Sequence, residues 1–193
     1  GPAIAFDHWQ TFRPTSCGRA VDRMEIRIDS PDPFKQVGEI LTKGMNVMDG
    51  YYNNPEASNT VLSPDGWLHT GDLGVLDPDG YLYIKGRSKS LILGPSGQNI
   101  YPEEIEDLLN AQPYIAESLV IEREGKLVAL VYPDAEAMKQ NKISCETLLK
   151  IIHETRKQIN QQLPAYSQIA RIEIHDEEFE KTPKRSIKRF LYQ

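Results

Sequence analysis

The apolar and polar residues of Met24-Glu25-Ile26-Arg27-Ile28 alternate with a period of two, which predicts a strand over 23–29 with one buried face. Pro31-Asp32-Pro33 ends that strand, and Gly38–Thr42 predicts a second one leading to a turn at Gly44. Pro55-Glu56-Ala57 reads as a helix start, because proline has no N–H to lose in a first turn and acids there suit the helix dipole. Short strands are predicted over 67–70, 74–76 and 81–84, separated by the turn sequences Pro64-Asp65-Gly66 and Asp77-Pro78-Asp79-Gly80. The first half is therefore mostly β. From Lys89 the pattern changes to a strand over 90–93, a helix over 102–111 and strands over 117–122 and 126–132. A long helix follows over 144–162, with Ser144 as N-cap and Leu148, Leu149, Ile152 and Ile159 on one apolar stripe. A last strand is predicted over 169–174. This half reads as an α+β sandwich in which helices cover one antiparallel sheet, with the boundary between the halves at 86–90.

At 193 residues, with 39% hydrophobic and 26% charged residues, the composition is that of a soluble globular protein with enough chain for a core. No apolar run reaches the roughly 18 residues of a membrane span, and the first ten residues lack the basic start and apolar core of a leader. Cys17 and Cys145 are far apart and without zinc-ligand spacing, so a reducing, cytoplasmic setting is expected. A net charge of -6 argues against nucleic acid or a membrane surface as the main partner, although Lys181 to Arg189 carries five cations and no acid.

The stretch from Gly66 to Glu106 concentrates the candidate chemistry. In His69-Thr70-Gly71-Asp72 a carboxylate follows a glycine, where the backbone can turn and a ligand can approach closely. Such a carboxylate suits a sugar diol. Gly86-Arg87-Ser88-Lys89 places two cations at the end of an aromatic strand, and Gly94-Pro95-Ser96-Gly97-Gln98-Asn99 runs into a helix opening with Pro102-Glu103-Glu104. His69, His153 and His175 show no metal or base spacing.

Taken in order, Gly38-Glu39-Ile40, Gly50-Tyr51-Tyr52-Asn53-Asn54-Pro55-Glu56, Thr70-Gly71-Asp72, Gly86-Arg87 and Ile100-Tyr101-Pro102-Glu103-Glu104-Ile105-Glu106 make the chain resemble the adenylate-forming superfamily. Within it the chain is similar to the acyl-CoA synthetases, long-chain fatty acid CoA ligases in particular. The resemblance implies a two-step reaction: a carboxylate attacks ATP to give an acyl-adenylate and pyrophosphate, and the thiol of coenzyme A then displaces AMP. It implies that residues 1–88 form the final β-rich, distorted barrel-like subdomain of a large AMP-binding domain, and 89–193 its mobile α+β C-terminal domain. The family's phosphate loop and fatty-acid pocket are expected upstream of this chain, with the ligands of Mg2+. The chain is thus expected to be a C-terminal fragment, inactive alone, with no metal ligands of its own. An acyl carrier protein ligase, or a noncatalytic nucleotide- or partner-binding module of the same fold, is the alternative.

By the same resemblance Asp72 would accept hydrogen bonds from the ribose hydroxyls, as an acceptor-only group shared by two donors can. Arg87 would face the nucleotide, Lys89 would be the hinge, and Gly97 would let the pantetheine arm of coenzyme A pass close to the main chain. The family's tail, Pro-Lys-Thr-x-x-Gly-Lys-Ile-x-Arg, carries a lysine that stabilises charge as ATP is cleaved. Here the tail is Glu180-Lys181-Thr182-Pro183-Lys184-Arg185-Ser186-Ile187-Lys188-Arg189. Ser186 therefore occupies the lysine's place and Arg185 the glycine's. An extended tail puts 184, 186 and 188 on one face, whereas a helical tail turns 186 away. Either Lys184 or Lys188 supplies the cation, or neither does.

Overall fold

The computed structural model describes residues 3–8 and 10–193. The chain divides into two compact units, Gly1–Lys89 and Ser90–Gln193.

In the first unit β1 (Ala5–Phe6) pairs with β2 (Arg19–Ala20). A four-stranded antiparallel sheet then runs in the order β3 (Met24–Asp29), β4 (Gly38–Gly44), β5 (Leu68–Leu76) and β6 (Leu82–Arg87). Helix α1 (Pro55–Val61) lies between β4 and β5 in sequence, and the Asn54 side chain caps it by accepting from the Ala57 N–H at 2.9 Å. Ile28, Ile40 and Leu82 form the core of this unit. The segment before β2 is held by charge: Arg13 pairs with Asp77 and Asp79 and lies 4.1 Å over the ring of buried Tyr81. Two expectations change here. Residues 68–70 and 74–76 belong to one nine-residue strand, β5, which carries an interruption inside it, and Trp67 lies just before it. Among the described residues the sheet is also open, with β3 and β6 each paired to one neighbour at its two ends, so no closed barrel forms.

The second unit begins with a hairpin of β7 (Ile92–Leu93) and β8 (Asn99–Ile100), followed by α2 (Pro102–Asn110). Strands β9 (Ile115–Arg123) and β10 (Lys126–Pro133), helices α3 (Ala135–Gln140) and α4 (Cys145–Gln162), and strand β11 (Ile169–Ile174) complete it. The sheet order is β11-β10-β9, and β10 pairs antiparallel with β9 but parallel with β11. The sheet is thus mixed and not antiparallel throughout, because the α3–α4 connection returns the chain to the same end of the sheet. Strand β10 is buried on both faces, which explains its unbroken apolar run Leu127 to Val131. Ala129 and Val131 pack on one side with Val120 and the helical residues Ile105, Leu109, Leu148, Ile152 and Ile159. Leu119, Ile121, Val128 and Leu130 pack on the other side against Phe179 of the tail. Ser144 caps α4 by accepting from the Thr147 N–H at 3.2 Å. Leu149 departs from the expected stripe: it is 57% exposed, one residue round the helix from buried Leu148.

The tail is an extended hairpin. Lys181 bridges to Ile187, the Lys188 N–H donates to the Glu180 carbonyl at 2.8 Å, and the Thr182 N–H donates to the Ser186 carbonyl at 2.8 Å. The intervening loop Pro183-Lys184-Arg185 ends with Arg185 at φ 64°, a left-handed position that a glycine fills without strain. Beyond the hairpin, Arg189 pairs with Glu106 of α2 and donates to the Val120 carbonyl at 3.3 Å. Glu106 in turn accepts from the Val120 N–H at 2.7 Å. Burial pushes the Glu106 carboxyl above the ordinary carboxylate range, opposed by the Arg189 guanidinium and the Val120 N–H.

Two stability measurements check this packing by denaturant unfolding. Arg189→Met leaves a buried carboxylate without its cation and is expected to cost about 3 kcal/mol at pH 7. Without the guanidinium the folded-state pKa of Glu106 rises further. The cost is therefore small where the carboxyl is protonated in both proteins, and grows as pH climbs past the raised folded-state pKa of the parent towards neutrality. A pH-independent difference would show that Arg189 acts by packing alone. Arg185→Gly removes a left-handed non-glycine residue and is expected to raise stability by about 0.5–1 kcal/mol, after allowance for the extra freedom of the unfolded chain.

Candidate functional site

In the first unit the Thr70-Gly71-Asp72 motif forms a bulge in β5. Glu39 of β4 pairs with Leu73 and Leu41 with His69, so three residues of β5 stand opposite the single residue Ile40. The Thr70 hydroxyl donates to the Ile40 carbonyl at 2.7 Å and accepts from the Asp72 N–H at 3.1 Å. Gly71, at φ 74°, donates its N–H to Glu39 Oε1 at 2.9 Å, and Glu39 Oε2 meets His69 Nδ1 at 2.9 Å.

Asp72 lies directly across from Arg87 at the end of β6. The Arg87 Nε stands 2.9 Å from Asp72 Oδ1, with the arginine side chain 66% and the carboxylate 31% exposed. A carboxylate has about four acceptor sites, so pairing with the guanidinium does not by itself saturate it. The structure thus brings together the two residues assigned to the nucleotide from sequence. Lys89 follows two residues later, exposed in a single 3-10 turn, Ser88–Ser90, at the boundary of the two units.

In the second unit Gly97 sits at φ 80° in the loop between β7 and β8, where a Cβ would meet no atom within 4 Å. Within this unit the glycine answers to backbone conformation. A cleft of about 510 Å³ lies beside the loop, walled by Leu93, Ser96, Gln98, Lys126 and Tyr166, and the Gln98 Oε1 is buried there without a hydrogen-bond partner. A larger hollow in the first unit, about 980 Å³ between Met45, Met48 and Leu62, has neither Asp72 nor Arg87 in its walls.

Of the tail residues, Ser186 and Lys184 are exposed, and Lys184 makes no ion pair among the described residues. Lys188 is engaged: its Nζ lies 3.0 Å from Glu180 Oε2 across the hairpin. No group of three or more His, Cys, Asp or Glu side chains gathers as a metal set among the described residues. His69 meets Glu39, and His175 stacks on Phe179 with ring centroids 4.9 Å apart. Reading by sequence passed over Glu39 and Arg189 as contributors. Their partners lie 32 and 83 residues away, and their presence in the glutamate and arginine positions of the family motifs was the one available signal.

Residues 89–192 match the model of the AMP-binding enzyme C-terminal domain. The indoleacetate–CoA ligase of Aromatoleum aromaticum is 45% identical over 124 residues, covering 60% of this chain and 24% of the relative. The long-chain-fatty-acid–CoA ligase ACSBG2 of Gallus gallus is 39% identical over 123 residues, covering 63% of this chain and 16% of its own length. Among solved structures, the O-succinylbenzoate coenzyme A synthetase of Bacillus subtilis in complex with AMP superposes with a TM-score of 0.72 at 29% identity, over 94% of this chain and 36% of that one. The chain spans about a third or less of the length of each of these proteins. It belongs to the AMP-binding, adenylate-forming enzymes.

Proposed function

We propose that this chain is the C-terminal part of an ATP-dependent acyl-CoA synthetase, acting in the cytoplasm on a long-chain fatty acid through an acyl-adenylate. The carrying observation is the Asp72–Arg87 pair, an oriented carboxylate presented across two strands where a ribose diol can be held. The choice of a long-chain fatty acid draws on the similarity to the Gallus gallus ligase; other relatives take aromatic acids by name. In this reading residues 1–88 complete the AMP-binding domain and 89–193 are its mobile partner, with Lys89 as the pivot whose backbone absorbs the rotation. The residues fit ATP or AMP at Asp72 and Arg87. The thiol arm of coenzyme A would pass at the Gly97 loop, where a Cβ would meet no atom within 4 Å. Mg2+ would be held by residues outside this chain.

The tail supplies the cation for adenylation from Lys184. Lys188 already neutralises Glu180, whereas Lys184 stands at the hairpin tip, two residues from Ser186. A positive charge is worth most where negative charge develops during cleavage of ATP. The exposed hydroxyl of Ser186 favours a second reading, a noncatalytic nucleotide- or partner-binding module of the same fold. An acyl carrier protein in place of coenzyme A is a variant of the first.

The test uses the full-length enzyme. Asp72→Asn and Arg87→Ala are each expected to raise KM for ATP about tenfold, the equivalent of one lost charge-assisted hydrogen bond. Lys184→Ala is expected to slow pyrophosphate release about a hundredfold, with Lys188→Ala within about threefold of the parent. Parental rates in Lys184→Ala would refute the tail assignment. Absence of adenylate with any carboxylate would favour the noncatalytic module, and comparison of free coenzyme A with carrier protein identifies the thiol acceptor.

A further inference from the structure

The interruption in β5 poses an accounting problem. Three residues, Thr70, Gly71 and Asp72, lie between His69 and Leu73, whereas only Ile40 lies between their partners Leu41 and Glu39. The ladder fails there, and the backbone groups it abandons need other partners. Thr70 serves two of them, the Ile40 carbonyl and the Asp72 N–H. The third, the Gly71 N–H, is taken by Glu39 Oε1, whose other oxygen meets His69 Nδ1. Both oxygens of one half-buried carboxylate thus grip β5 on the N-terminal side of Asp72.

This matters because a strand with extra residues can shed them by slipping in register. A two-residue slip moves a strand by about 7 Å, which would carry Asp72 out of reach of the Arg87 guanidinium now 2.9 Å away. The Thr70 hydroxyl, bonded to the Ile40 carbonyl of β4, and the Glu39 side chain of β4 hold the bulge in place, and Glu39 contributes the contact to the residue immediately before the carboxylate. We infer that Glu39 is a positioning residue for the nucleotide: through Gly71 and His69 it fixes the bulge that sets Asp72 against Arg87. The inference rests on the nucleotide-binding reading of Asp72.

The experiment titrates AMP into the full-length protein by calorimetry and measures KM for ATP and for coenzyme A where turnover is present. Asp72→Ala tests the reading; Glu39→Ala, Glu39→Asp and Glu39→Gln test the inference. Glu39→Ala is expected to weaken AMP and raise KM for ATP about tenfold, leaving KM for coenzyme A unchanged. Glu39→Gln keeps an oxygen for the Gly71 N–H and is expected to restore AMP affinity to within about threefold of the parent. Should Glu39→Ala fail to fold, Glu39→Asp, one methylene short of Gly71, is expected to show the same selective weakening. Parental AMP affinity in Glu39→Asp or Glu39→Ala overturns the inference, as does a Glu39→Gln protein no better than Glu39→Ala. If Asp72→Ala loses AMP and the Glu39 variants do not, Glu39 alone is misassigned. If the parent binds no AMP, the nucleotide reading falls and the inference falls with it.

Discussion

The buried carboxylate of Glu106 is the constraint around which the second unit is organised. Strand β9 is an edge of its sheet, so the outward N–H and C=O of Val120 have no neighbouring strand to pair with. Glu106 takes the N–H and Arg189 donates to the C=O, while the two side chains pair with each other. One ion pair thereby closes a sheet edge, docks the first turns of α2 and holds the chain just after the tail hairpin. Desolvation makes that carboxylate costly to keep ionised, and the cost is offset only while the arginine is in place. The same tail covers the second face of the sheet through Phe179, whose ring is packed by His175 and Tyr192. A tail that also carries the proposed adenylation cation is therefore part of the core of its unit.

What was legible in the sequence follows from how local each signal is. The period-two pattern of Met24–Ile28, the Ser144 cap and the apolar run of β10 are set by neighbours in the chain, and the elements formed where they were expected. Strand β5 was read as two pieces because Thr-Gly-Asp looks like a turn; its continuity depends on a glutamate 32 residues earlier. Helix α3, only six residues long and capped by Asp134, carried too little periodicity to be seen. The parallel pairing of β11 is a property of the crossover and has no trace in the strand's own composition. At the site, residue types were legible and contacts were not. Asp72 and Arg87 were assigned separately, and their cross-strand pairing appears only once two bulges set the register, one against β4 and one against β6. Gly97 had two competing explanations in sequence. In the structure its positive φ accounts for the residue within its own unit, so a ligand-passage role is an addition to that requirement.

The tail shows how one substitution changes the meaning of its neighbours. Replacing the expected lysine by Ser186 leaves three cations close by in sequence, yet the fold treats them differently. Lys188 faces Glu180 across the hairpin and its charge is spent within the pair. Arg185 occupies a left-handed backbone position, which fixes the loop at a conformational cost that a glycine would avoid. Of the two lysines, Lys184 is the one that combines exposure, a loop tip and no ion-pair partner among the described residues. With no ion pair among the described residues to fix its long side chain, ordering it at an anion costs entropy that a lysine already paired on the strand would not lose. A rate deficit from that ordering cost would therefore persist even if the displaced lysine reaches the developing charge. The distinction between a slow enzyme and a binding module then rests on whether Lys184 is ordered when the nucleotide is bound.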